Sequence, residues 1–170
     1  MKKLLLLILM TLFGLNNLYA CSCKKEKSTK ESYESKLLES IVHGKVLSKT
    51  SVSLTEIVDK ETLDSIKIKH NKKENFYTQK DFLKIELKVI EKFKGKTKSD
   101  IITIYTHSQS SACGYPWFKK GREYLVYATS KIASSYSLNN KNEKIYWTYH
   151  CLRTKEYNSF EAQQLTKLTN

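Results

Sequence analysis

From Phe82 to Phe93 the chain reads FLKIELKVIEKF, with Leu83, Ile85, Leu87 and Val89 on one face and Lys84, Glu86 and Lys88 on the other. Alternation at period two marks a strand with one buried face. Gly95 and the charged turn Lys96–Asp100 separate it from a β-branched run, Ile101–Thr106 (IITIYT). A turn-rich loop, SQSSACGYP, follows at 108–116, and after Gly121 comes a strand over Glu123–Thr129. Residues 130–144 read as a polar hairpin loop, and Ile145–Cys151 (IYWTYHC) as the last strand. Earlier in the chain, Ile41–Leu47 has strand character. Tyr33, Leu37 and Ile41 recur at four-residue spacing, with Leu38 beside them, which predicts a helix within 24–40. Residues 50–80 are polar without a sustained period and read as a long hairpin or loop, with short strand pieces at Val52–Val58 and Ile66–Ile68. In the tail, Asn158 as N-cap, Glu161 three residues on, and Leu165 with Leu168 on one face predict a helix.

Five strands, one long early loop and flanking helices predict a mainly β fold, a small closed barrel. Neither an internal repeat nor a low-complexity linker divides it.

The first twenty residues stand apart. Lys2 and Lys3 precede an apolar run from Leu4 to Phe13, and Leu18-Tyr19-Ala20 ends in a small residue suited to cleavage. This is the pattern of a signal peptide, 1–20, and it implies export of a single domain over 21–170. The apolar run is short for a membrane span, Asn16 and Asn17 interrupt its end, and the mature chain offers no longer one. A chain of this size buries on the order of 70% of its unfolded surface.

The full sequence carries 30 Lys and Arg against 17 Asp and Glu, a net charge of +13. Without Lys2 and Lys3 the balance is 28 against 17, or +11. The lysines are scattered, which suits a solvated exterior with weak attraction to polyanions. Export argues against a nucleic-acid partner.

All four cysteines, Cys21, Cys23, Cys113 and Cys151, lie in the mature part. An even count in an exported chain implies a disulfide framework with three possible connectivities. Cys21 and Cys23 are poorly placed to pair with each other, since a bridge across one residue is badly strained. Each therefore reaches a distant partner. Bridges closing loops of roughly 90 and 130 residues contribute at most about 4–5 kcal/mol each.

Enzyme chemistry finds little to stand on. His43, His70, His107 and His150 show no metal-ligand spacing, and there is no G-x-S-x-G or P-loop. His150-Cys151 resembles a catalytic pair only in composition, because adjacent residues of a strand point to opposite faces. The expectation is a protein that is not an enzyme and needs no cofactor.

What stands out is C-S-C at the first residue after the expected cleavage site. Cys21-Ser22-Cys23, KVIEKFKGKTKSDIITIYT at 88–106, SSACG at 110–114, KKGREYLVYA at 119–128 and then Cys151 occur in this order. Together they resemble the inhibitory, netrin-like domain of the tissue inhibitors of metalloproteinases, in a bacterial-type, single-domain form. The resemblance spans most of residues 21–152. It implies a five-stranded OB-fold barrel, the pairings Cys21–Cys113 and Cys23–Cys151, and inhibition of a zinc metalloproteinase. In that family the amine and carbonyl of the first residue, here Cys21, chelate the protease's zinc in trans. Ser22 and Cys23 complete the wedge. Ser110, Ser111, Ala112 and Cys113 resemble the second contact strip. The family's usual third bridge has no counterpart, since no cysteine lies in 24–50 or after 151.

Two other readings follow from the same residues. Netrin-like domains also serve as binding modules that inhibit nothing, and Tyr115, Trp117, Tyr146, Trp147 and Tyr149 either line such a surface or pack the core. Leu18-Tyr19-Ala20-Cys21 resembles a lipobox, which makes the chain an outer-surface lipoprotein through Cys21. Lipidation is incompatible with both a Cys21 bridge and a Cys21 chelate.

Overall fold

The structure is a computed structural model, and it describes residues 23, 27–70, 72–96, 99–130 and 145–170. The expected signal peptide, Cys21, Ser22 and nearly all of the expected loop at 130–144 lie outside the described residues.

A six-stranded sheet organises the chain. Its strands are β1 (Ser40–Val52), β2 (Phe82–Lys94), β3 (Ile101–His107), β4 (Glu123–Ala128), β5 (Tyr146–Trp147) and β6 (Lys155–Glu156). Their order across the sheet is β5-β3-β2-β1-β4-β6. All pairings are antiparallel except β3 with β5, which is parallel. The helices are α1 (Thr29–Glu34), α2 (Leu54–Ile57), α3 (Lys60–His70), α4 (Glu74–Thr78) and α5 (Ser159–Thr169).

The alternation from Leu83 to Leu87 does what its pattern demands. Leu83, Ile85 and Leu87 are buried together with Val42, Val46, Ile102, Ile104 and Phe118 on the concave face. β1 departs from regular register at three places along β2, and bulges of this kind bend a long strand and raise its twist. The sheet therefore curls into a half-barrel. A closed five-stranded barrel is not what forms. Among the described residues six strands are present, and the curled edges meet at an isolated bridge, where Thr129 and Trp147 exchange backbone hydrogen bonds of 2.9 and 2.7 Å. β5 is only two residues long, too short to extend that bridge into a ladder.

β4 is buried on both faces. Tyr124, Val126 and Ala128 face the concave core, while Leu125 and Tyr127 join Ile41, Phe93, Ala162 and Leu165 beneath α5. A strand covered on both sides needs no polar alternation, which accounts for the near-continuous run YLVYA. At the start of α5, the Asn158 side chain accepts from the Glu161 N–H at 3.0 Å.

Residues 53–78 correct the sequence reading. No strand forms at 53–58 or 66–68; three helices do. The Glu56 carboxylate accepts from the Ser53 N–H at 2.8 Å, and the Asp59 carboxylate accepts from the Thr62 N–H at 2.8 Å. Ile66 is 5% exposed and Ile68 84% exposed. Two residues apart on a strand would share a face; on a helix they point apart, as here. Leu54, Ile57, Val58, Ile66 and Tyr77 pack with Trp147 and Tyr149 in a second core. The predicted helix within 24–40 shrinks to α1, held by a reciprocal pair in which the Glu31 N–H donates to Ser28 Oγ and the Ser28 N–H donates to Glu31 Oε2. The last predicted strand stops after Trp147 and gives way to a 3₁₀ turn at His150–Leu152.

Candidate functional site

The loop after β3 is built from backbone bonds. Ser110–Ala112 form a 3₁₀ turn, in which the Ala112 N–H donates to the Gln109 carbonyl at 3.2 Å and the Cys113 N–H to the Ser110 carbonyl at 2.9 Å. Cys113 adopts the left-handed region at φ 61°. Gly114 then passes so close to β3 that a Cβ there would lie 2.1 Å from the His107 carbonyl oxygen. Only glycine fits. The result is a fixed turn whose residues Ser110, Ser111 and Ala112 all face solvent.

This turn is tied to the C-terminal part of the chain. The His150 N–H donates to the Cys113 carbonyl at 3.0 Å. The next residue, Cys151, is bonded through sulfur to Cys23, with Cα atoms 5.4 Å apart. The N-terminal segment, the 110–113 turn and the 150–152 turn thus meet at one end of the sheet. Cys23 and Cys151 are both exposed there. None of the described cysteines is free, and the pairing expected of Cys21 lies outside the described residues. Because His150 and Cys151 sit in a 3₁₀ turn, strand geometry no longer argues against a Cys–His nucleophile. The disulfide does, since Cys151 has no thiolate to offer.

Beside the bridge lies a groove of about 530 Å³, lined by Cys23, Tyr115, Trp117, His150, Cys151 and Arg153 among others. Burial, with Tyr124 nearby, pushes the Tyr115 phenol up to about 12, so it stays protonated and neutral. On the other flank of the 110–112 turn is a smaller cavity of about 260 Å³, lined by Phe76, Asp81, Phe82, His107 and Ala112. Burial draws the His107 imidazole below its usual range, against the pull of Asp81, which favours the neutral ring.

The aromatic residues separate cleanly. Trp147 is fully buried, Tyr149 and Tyr115 are buried, and Tyr146 packs against the concave core. They are structural. Trp117 alone of the five is exposed, at 46%. Its fixing residue, Lys49, could not be read from sequence, because the contact spans 67 and 69 positions to the Pro116 and Phe118 carbonyls.

Behind the groove, Glu161 is 4% exposed and receives Tyr127 Oη at 2.5 Å, Lys155 Nζ at 2.5 Å and Arg153 Nη2 at 2.9 Å. Burial works to raise its pKa, but the bonds from Arg153, Lys155 and Tyr127 outweigh it and hold the carboxyl below its usual range. Arg153 also donates to the Lys27 carbonyl at 2.6 Å, linking the N-terminal segment to α5.

Among the described residues no cluster of three or more His, Cys, Asp or Glu side chains is gathered to hold a metal ion. Likewise, none of the described helices is long and apolar enough to cross a membrane. Compared with known proteins, the chain matches no family model and no curated protein.

Proposed function

We propose that this chain, exported and cleaved before Cys21, is an extracytoplasmic inhibitor of zinc metalloendopeptidases. A catalytic zinc keeps one coordination position open for water. The α-amine and carbonyl oxygen of Cys21 close a five-membered ring on that metal and displace the water. The amine binds unprotonated; with an ordinary pKa of about 7.7–8.0 its deprotonation costs little, and zinc offsets it. Ser22 enters the specificity pocket beside the metal, and Ser110, Ser111 and Ala112 lie along the cleft. In this reading Cys21 bridges to Cys113, the protein has no catalytic group of its own, and any attraction of its lysines to polyanions is secondary.

One observation carries the reading. The Cys23–Cys151 bridge lies two residues from Cys21, at the end where the His150–Cys113 bond fixes the exposed 110–112 turn. A wedge held at both sides loses little freedom on binding, so that few contacts yield useful affinity.

The test is a titration of zinc endopeptidases with the chain beginning at Cys21 and with one alanine added before it. The added residue removes the free amine from the chelating position and abolishes inhibition without changing the unfolding midpoint. Equal potency of the two forms refutes chelation and favours a netrin-like binding module.

A further inference from the structure

The cavity of about 260 Å³ beside the 110–112 turn is walled by aromatic rings and holds a carboxylate. Phe82 and His107 are register partners across β2 and β3, with ring centroids 4.6 Å apart. Phe82 also meets the buried Trp147 edge-on at 5.7 Å, which anchors this side of the wall in the second core. Phe76, on α4, supplies another side; it lies edge-on to the buried Tyr77 and is 40% exposed. Asp81, just before β2, has a fixed backbone. Its N–H donates to the Gln79 carbonyl at 2.9 Å, and its carbonyl accepts from the Ser108 N–H at 2.8 Å.

The Asp81 carboxylate itself is unclaimed. Among the described residues it accepts no hydrogen bond and joins no ion pair, the adjacent Lys80 included. Its pull is felt by the His107 ring, but burial outweighs that pull and favours the neutral imidazole. The histidine therefore does not balance the charge.

A half-buried carboxylate among rings restricts what can enter. An anion is repelled. A neutral apolar group strips water from the carboxylate and returns no hydrogen bond, which is costly. An ammonium ion suits both walls, because it donates to the carboxylate and is attracted by the aromatic rings. Sites for drug-sized ligands begin at about 300 Å³, so this smaller cavity fits an ammonium carrying only a few carbons.

We infer that the cavity is a binding site for a small alkylammonium ion, with Asp81 as its counter-ion and Phe76 and Phe82 as its aromatic wall. His107 stays neutral beside the ligand and does not compete for the carboxylate.

Three probes of matched shape test this on the exported chain: n-butylammonium, 1-butanol and butyrate. The His107 imidazole resonance reports on the cavity, and that of His43, held by Glu123 and Tyr157, serves as the control. At neutral pH n-butylammonium shifts His107 along a saturating curve and leaves His43 in place. The alcohol and butyrate, at the same concentrations, leave both unmoved. Asp81→Asn weakens n-butylammonium binding about tenfold, the scale of one charged hydrogen bond, and Phe76→Ala weakens it about threefold. Both side chains are partly exposed, so the unfolding midpoint changes little. Equal shifts from the alcohol and the ammonium overturn the inference and leave an apolar hollow. A titration that never saturates, or one unchanged in Asp81→Asn, overturns it as well. The alcohol comparison uses the native chain, so it decides the matter even if Asp81→Asn does not fold.

Discussion

Two attachments hold the terminal segments to the curled sheet, and they are made from different chemistry. At the cysteine end, Cys23 is joined to Cys151 across 128 positions of sequence, and the groups around the bridge stay open to solvent. At the helix end, α5 is held by Glu161, whose carboxylate is buried and satisfied by Arg153, Lys155 and Tyr127. The covalent tie needs no burial to be strong, so its surroundings can present side chains outward. The ionic tie works only when its partners are packed around it, so it consumes the polar groups it uses. Arg153 belongs to both, with Nε and Nη2 on Glu161 and Nη1 on the Lys27 carbonyl. The exposed 110–112 turn and the groove accordingly lie at the end with the disulfide.

The two ties separate under perturbation. The largest effect is expected from the double variant Cys23→Ser/Cys151→Ser. Opening a loop of that length costs up to about 5 kcal/mol by the chain-entropy account, read as a shift of the urea unfolding midpoint. Its acid sensitivity should remain that of the native protein, because Glu161 is untouched. A variant as stable as the native chain would show that the bridge is dispensable for holding the N-terminal segment.

Glu161→Gln is the smaller and more selective change. It removes the carboxylate charge that both Arg153 and Lys155 contact, at a cost of about 3 kcal/mol, the low end for a broken buried pair because Lys155 is partly exposed. The sign of its pH dependence follows from the depressed carboxyl pKa in the fold. A carboxylate of this kind adds stability above its unfolded value, near 4.5, and that contribution disappears as pH falls through the lower folded value. The native protein therefore loses stability on acidification below about 4.5, and Glu161→Gln flattens that part of the curve. An unchanged acid limb in the variant would move the titrating group elsewhere.

How much of this was legible in the sequence depended on whether a local rule sufficed. The period-two run at 83–89 and the β-branched run at 101–106 marked their strands, because one buried face leaves an alternation to read. Asn158 with Glu161 marked α5 by the same capping logic. That logic was equally available at Ser53 with Glu56, where the absence of a long period hid three short helices. The expected barrel closure depended on a full last strand, and β5 ends after Trp147 because the chain turns at 150–152 to meet Cys113 and Cys23. Of the two pairings that the resemblance implies, Cys23–Cys151 forms, while the partner expected of Cys113 lies outside the described residues. The locking of the Trp117 backbone by Lys49 and Tyr124 is a long-range tertiary fact with no trace in nearby residues.

Inhibition by chelation requires that the mature chain begin at a free Cys21 amine. The intact mass of the natively exported protein, taken before and after reduction, tests it directly. The expected result is a mass starting at unmodified Cys21 that rises on reduction by the hydrogens of two bridges. A mass increased by lipid, or one retaining residues before Cys21, would contradict it.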